Sequence, residues 1–305
     1  MENMWSTFIQ TSEELYASRS VRFREDNKDL WLAAMKLYDG LNILEIGCGG
    51  GLFCHRIKTF LPNCIVTGLD RDIGHIQFAV EKSKELDLDC SFIQGDALNL
   101  PFDNNSFDAC TSHTVIEHVE TTGFLKEQYR VLKPNGVISV LSVRTSMNIY
   151  PENSMPDNQE EQTLLNKAWE NANSYDKAHG VGQYELKEVG FPIALESAGF
   201  INVNVNFIAV TCYAPDNNAF SREMALSQIN CYRISTLESV NKALRISPHG
   251  LTQTEKETLI TLINKRFDDR ILLYEQGQKL WDMATSNVMV TTGNKPIRSV
   301  NRLKI

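Results

Sequence analysis

Between residues 42 and 143 short apolar runs alternate with stretches of helical spacing. Asn42 to Ile46, Ile65 to Asp70, Ser91 to Gln94, Ser106 to Ser112 and Gly136 to Val143 read as strands. After the second of these, Ile73, Ile76, Phe78, Ala79 and Val80 mark an apolar helical face, with Glu81, Lys82, Lys84 and Glu85 toward water. This rhythm predicts a parallel sheet covered by helices on both faces. Upstream, Thr11 to Ser18 and Glu25 to Tyr38 predict two helices, the first capped by Ser12. Downstream, Ile201 to Tyr213 alternates Val203, Val205 and Phe207 with Asn202, Asn204 and Asn206, the period of a strand. Leu251, Leu259, Leu262, Ile263, Phe267, Ile271 and Leu272 then mark the apolar faces of a helical stretch, with two long helices meeting near Pro248 and Gly250, before Asn287 to Thr292 returns to a strand. The organisation expected is an N-terminal helical cap (1–40), an α/β core (41–213) carrying a lid segment at about 146–190, a helical insertion (214–284), and a last core strand with a tail (285–305).

The first strand runs into Gly47-Cys48-Gly49-Gly50-Gly51 and then a helix from Leu52 to Leu61. Glycines have no Cβ and tolerate positive φ, so such a turn lets a ligand approach the backbone, while the amides at the helix start would face an anionic group. The G-x-G-x-G spacing, with Phe53 two residues on and Glu45 before the first glycine, departs from the dinucleotide fingerprint. Asp70 ends the second strand, where a carboxylate accepts from both ribose hydroxyls of an adenosine. Gly95-Asp96-Ala97 follows the third strand and would put a carboxylate beside the adenine amino group; the fourth ends at Ser112-His113-Thr114. In an open parallel sheet these carboxyl-end loops converge on one crevice.

The bulk numbers narrow the partners. The 305 residues carry 30 Lys and Arg against 38 Asp and Glu, a net charge of -8, which makes nucleic acid an unlikely partner. No apolar run reaches the roughly 18 residues of a membrane span and no basic leader opens the chain, so a cytoplasmic protein without membrane contact is expected. Seven cysteines form no C-x-x-C pair, and neither a disulfide framework nor a metal site is expected. His55 and His75 sit on helices away from the strand tips and read as packing residues, while Glu117 and His118 suit capping and packing against a loop.

Leu44 to Gly51, Gly68 to Asp70, Gln94 to Leu98, Leu100 to Val119 and Tyr129 to Val137 together resemble the class I S-adenosylmethionine-dependent methyltransferases, in particular the type 11-like branch acting on small, quinone-like or lipid-like acceptors. Asn135 stands where glycine is commoner. The resemblance implies a Rossmann-like, seven-stranded, mostly parallel sheet, with S-adenosylmethionine as cofactor and S-adenosylhomocysteine as product. It also implies that Gly47, Cys48, Gly49 and Gly51 wrap the methionine part and Glu45 helps to hold its amino group. Asp70 would bind the ribose, Arg71 would flank the adenine, and Asp96 and Ala97 would contact its edges. His113 would border the methionine end and the acceptor. Between strand five and Gly199, Trp169, Tyr175 and Tyr184 are candidates for an acceptor wall, and His113 and His179 for a base. Methyl transfer to a small-molecule acceptor is therefore expected, with the acceptor atom open among O, N, S and C and a homodimer among the arrangements allowed. A protein or RNA methyltransferase and a non-catalytic binder are the alternatives; Ser112-His113-Thr114-Val115 stands where amino-group methylation of nucleic acids would call for an N-P-P-Y type tetrapeptide. The lid and the helical insertion are expected to roof the acceptor pocket.

Overall fold

The structure is a computed structural model that describes residues 5–151, 158–170 and 178–297. Helices α1 (Trp5–Phe8), α2 (Ser12–Ser20) and α3 (Lys28–Met35) lead into β1 (Asn42–Ile46), α4 (Leu52–Phe60), β2 (Ile65–Asp70), α5 (Ile73–Leu86), β3 (Cys90–Gln94), β4 (Phe107–His113), α6 (Thr121–Val131) and β5 (Leu132–Val143). Then come α7 (Gln159–Trp169), α8 (Gly190–Ser197), β6 (Ile201–Tyr213), α9 (Arg222–Ile246), α10 (Gln253–Glu275) and β7 (Ala284–Asn294). Thr11, not Ser12, caps α2: its hydroxyl accepts from the Glu14 amide while the Glu14 carboxylate accepts from the Thr11 amide. That shift frees the Ser12 side chain for a partner elsewhere. The predicted helix from Glu25 to Tyr38 is a 3₁₀ turn at Glu25–Asn27 followed by α3, which stops where Lys36 takes φ 56°.

The seven strands lie in the order β3-β2-β1-β4-β5-β7-β6. Neighbours among β1 to β5 pair in parallel and β7 pairs antiparallel with β5. The chain steps outward from β1 to β3 and then returns to place β4 beside β1, so the order reverses between these two strands. Loops leave the two sides of such a switch point in opposite directions and open a crevice at the strands' carboxyl ends.

Because helices cover both faces, β1 is buried from Ile43 to Ile46, and alternate residues serve opposite layers. Leu44 and Ile46 pack with Phe124 and Leu125 of α6 and Phe191 and Leu195 of α8. Glu45 faces the other layer, where the Cys54 thiol of α4 donates to its Oε2 at 2.9 Å. Each large apolar side chain removed from water here contributes about 1.5–3 kcal/mol, so the sheet's interior fixes the strand tips that carry the loops.

The chain divides into two compact units, 1–144 with 180–208 and 287–305, and 145–179 with 209–286. The division differs from the expected one, since the stretch anticipated as a lid is shared between the units. Within the second unit Leu164 and Ala168 of α7, Ile229, Val240 and Ala243 of α9 and Leu259, Ile263 and Phe267 of α10 form one core. Arg270 lies in this unit with its guanidinium fully buried between Asp216 and Asp282, 2.7 Å from each. Asp216 also accepts from the amides of Leu280 and Trp281, and the Tyr213 hydroxyl donates to Asp282 at 2.8 Å. The cluster therefore pins the start of the helical stretch to its end. Among the described residues no helix is long and apolar enough to cross a membrane.

Candidate cofactor site

A cavity of about 440 Å³ opens in the first unit at the ends of β1, β2 and β4, within the range of small-molecule sites. Its floor is the glycine turn. Gly47 has φ +70°, and a Cβ there would lie 2.4 Å from Val115 Cγ2; Gly49 has φ +54°, and its Cβ would lie 2.5 Å from Leu15 Cδ2. Gly51, at φ +81°, starts α4. The turn's amides are largely engaged inside the protein: those of Gly47 and Cys48 donate to the Leu69 carbonyl and that of Gly51 to the Cys48 carbonyl. The turn thus offers close approach, and the charge comes from side chains.

Asp70 is the hinge of this arrangement. Only 9 % exposed, its carboxylate accepts from the Gly49 amide at 2.8 Å and from the Asp72 amide at 2.9 Å. A carboxylate offers about four lone-pair positions, so roughly two remain for a ligand's hydroxyls. Asp96, Ala97 and Leu98 line the next part of the wall, with the exposed Asp96 carboxylate accepting from the Leu98 amide at 2.9 Å. Arg71 approaches from the β2 side, its guanidinium 5.9 Å from the ring centre of Trp5.

The cavity's buried cation is Arg19 of α2, which donates to the His113 carbonyl at 3.2 Å. Burial lowers its pKa, opposed by the charges of Glu45 and Asp70. Glu45, expected at the cofactor's amino group, instead lies fully buried outside the cavity wall; burial pushes its carboxyl up to about 7, and its Oε1 has no partner among the described residues. Cys48 is also fully buried and contributes backbone, not side chain. His113 is buried as well, its ring edge-on to Phe23 at 5.3 Å. It reaches the site through its carbonyl, and burial holds its imidazole well below the usual range.

The far end of the cavity is built from three separate stretches. Thr114, immediately after β4, takes φ +53°, a strained conformation for a β-branched residue, and lines the wall. His118 accepts at Nδ1 from the Gly182 amide at 2.9 Å, and Tyr184 donates its amide to the Glu117 carbonyl at 2.9 Å. Burial, helped by Arg71 and Arg19, pulls the His118 pKa down to about 4. A neutral imidazole with Nδ1 accepting carries its proton on Nε2. Trp5 covers His118 with ring centres 4.8 Å apart, and the Ser6 amide and hydroxyl tie α1 to the Asp72 carboxylate at 2.6 and 2.8 Å.

The structure thus brings Gly47, Gly49, Asp70, Arg71, Asp96, Ala97 and Tyr184 to one cavity. It places Glu45, Cys48, Gly51 and His113 behind that wall, Gly51 facing Ala79 and Phe92. Trp169 packs on the core of the helical unit, and His179 is half-buried in a turn of the same unit. Tyr175 lies outside the described residues. Trp5, Gln10, Leu15, Arg19 and His75 line the cavity without having been singled out for it, and His75, read as a packing residue, is the largest revision. A signal for it existed: it follows the N-cap Asp72 by three residues, directly after the strand that ends in Asp70.

Residues 44–140 match the methyltransferase domain family. Demethylmenaquinone methyltransferase of Listeria welshimeri is 34% identical over 124 residues, covering 40% of this chain and 51% of that protein. Sterol 24-C-methyltransferase of Debaryomyces hansenii is 30% identical over 169 residues, 53% of this chain and 43% of that one. Norajmaline N-methyltransferase of Rauvolfia serpentina is 34% identical over 134 residues, 43% and 44% respectively. The chain thus spans about half the length of the curated relatives it matches. The structure of Haemonchus contortus phosphoethanolamine N-methyltransferase 2 with S-adenosyl-L-methionine superposes with a TM-score of 0.52 at 18% identity, covering 97% of this chain and 60% of that one, a likeness of fold. The glycine turn, Asp70 and Asp96 all fall inside the stretch that matches the methyltransferase domain, on a sheet whose strand order opens a crevice between β1 and β4.

Proposed function

We propose that the protein transfers the methyl group of S-adenosylmethionine to a small-molecule acceptor. The observation that carries this reading is the single cavity wall formed by Gly47, Gly49, Asp70 and Asp96 at the switch point between β1 and β4. The residues fit a nucleoside with a charged amino-acid arm. Open lone pairs on Asp70 suit ribose hydroxyls, Asp96 to Leu98 suit an adenine edge, and the buried guanidinium of Arg19 suits a carboxylate. Gly47 and Gly49 leave the space that an arm running along the turn requires.

When bound, the cofactor supplies a methyl group on a sulfonium, so the chain's task is alignment and exclusion of water. Thr114, His118 and Tyr184 border the far end, where an acceptor would enter. His118 is a hydrogen-bond donor there through Nε2–H and not a base, because its Nδ1 lone pair is taken by Gly182. The -8 net charge and the acceptors in the relatives' names, demethylmenaquinone, a sterol and norajmaline, support a small acceptor over a nucleic acid. The stretch expected to roof the acceptor is divided, residues 145–179 falling with 209–286 and residues 180–190 with the unit that holds the cavity.

The test is calorimetry with S-adenosylhomocysteine and with nicotinamide dinucleotides, followed by an acceptor panel read by mass. Binding of the first and a methylated product are expected. Nicotinamide binding without sulfonium or thioether binding would overturn the reading.

A further inference from the structure

His75 is only 1 % exposed, yet it lines the cavity from the first turn of α5. Its Nδ1 lies 2.9 Å from the Ser12 hydroxyl, and its Nε2 has no hydrogen-bond partner among the described residues. Ser12 stands in the first turn of α2 because Thr11 has taken the cap, and its hydroxyl hydrogen finds no acceptor other than this nitrogen among the described residues. The hydroxyl therefore donates to Nδ1, which leaves the imidazole proton on Nε2. Packing alone does not account for such a ring, since a buried N–H without an acceptor costs free energy that folding avoids. The missing acceptor belongs to whatever fills the cavity.

Resting on the reading of this cavity as the S-adenosylmethionine site, we propose that His75 is a cofactor-binding residue whose Nε2–H donates to a ribose oxygen, with Ser12 fixing the tautomer. Burial is the largest influence on the ring and lowers its pKa; among charges Asp70 opposes it most, ahead of Asp72. A ribose hydroxyl that gives its hydrogen to Asp70 keeps lone pairs for Nε2–H, so the two residues bind one diol from opposite senses. The chain Ser12 to His75 to ribose to Asp70 is then closed, with every donor matched.

The experiment uses the full chain, with S-adenosylhomocysteine and 5′-methylthioadenosine as probes; the second keeps the nucleoside and lacks the amino-acid arm. His75→Leu is expected to raise Kd roughly three- to tenfold for both probes, and Ser12→Ala by a smaller factor, in proteins whose melting temperatures stay close to wild type. On the unsubstituted protein, imidazole ¹⁵N spectra should show Nε2 protonated before ligand and its resonance moved by either probe. Wild-type affinity in a folded His75→Leu protein, a loss confined to S-adenosylhomocysteine, or a proton on Nδ1 in the spectra would each overturn the proposal. Failure of the wild-type protein to bind either probe would instead overturn the cofactor reading beneath it.

Discussion

Replacing Asp70 by alanine should do two things at once, because its carboxylate faces both the protein and the cavity. On the protein side the Gly49 and Asp72 amides lose their acceptor. A buried amide left unpaired costs about 1–3 kcal/mol, and water entering from the open cavity brings each toward the lower end, so the variant should lose about 2–3 kcal/mol of stability. On the ligand side the lost bonds to a charged acceptor are worth about 1.5–3 kcal/mol, a rise in Kd of roughly ten- to one-hundred-fold. Urea unfolding without ligand measures the first quantity, and calorimetry with S-adenosylhomocysteine on the folded fraction measures the second. The two losses separate in Asp70→Asn, whose Oδ1 can still accept from one amide; it should recover part of the stability and little of the affinity. A folded Asp70→Ala protein with unchanged Kd would refute the ribose assignment, and one with unchanged unfolding free energy would refute the tie to the glycine turn.

Three further outcomes follow from buried charge. Arg270→Met leaves Asp216 and Asp282 facing each other without their cation, so unfolding of the helical unit should become easier by about 3–5 kcal/mol; a change under about 1 kcal/mol would mean the acids find other partners. The folded-state pKa of His55 and of His118 is pulled by burial from 6.5 to about 4, so the unfolded chain binds more protons between these values. Stability should therefore be complete above about pH 6.5 and fall on acidification toward pH 4, by up to about 1.4 kcal/mol per pH unit for each group, less for the partly accessible His118. Glu45, raised from 4.5 to about 7, works in the opposite sense: its contribution is present below pH 4.5 and lost as pH rises through 7. Glu45→Gln should accordingly gain stability relative to wild type as pH rises from 5 to 8, a trend read from urea midpoints; a parallel pair of curves would show that Glu45 does not titrate there.

The sheet was legible because its signals are local. Each strand of the core is a short apolar run closed by a turn, and a parallel strand buried on both faces has no polar alternation to confuse it. The glycine turn, Asp70 and Asp96 were legible for a related reason: each sits at a strand's carboxyl end, so knowing the strands fixes where the side chains go. Glu45 shows the limit of that logic. Its position two residues before Gly47 suggested a role at the ligand, but a strand alternates sides, and the residue that points into the α4 layer meets Cys54 and not the cavity.

What stayed hidden depends on contacts distant in sequence. Arg19 reads as one more basic residue on a surface helix, and only the seating of α2 against the glycine turn makes it a buried cation. His75 reads as a packing residue because it sits on a helix away from the strand tips, and nothing local reveals that Ser12, 63 residues earlier, meets its Nδ1. The same holds for the units. The break expected at residue 214 falls nearer 209, and α7 shares a core with α9 and α10 because Leu164 and Ala168 need partners that arrive about sixty residues or more later. That core also changes how the helical unit is to be probed. Trimming 216–284 alone would strip α7 of its apolar partners and expose Leu164 and Ala168, so a lost activity would report unfolding as readily as a lost acceptor site. A nick in the loop between α9 and α10 leaves the core residues in place and confines the perturbation to chain connectivity.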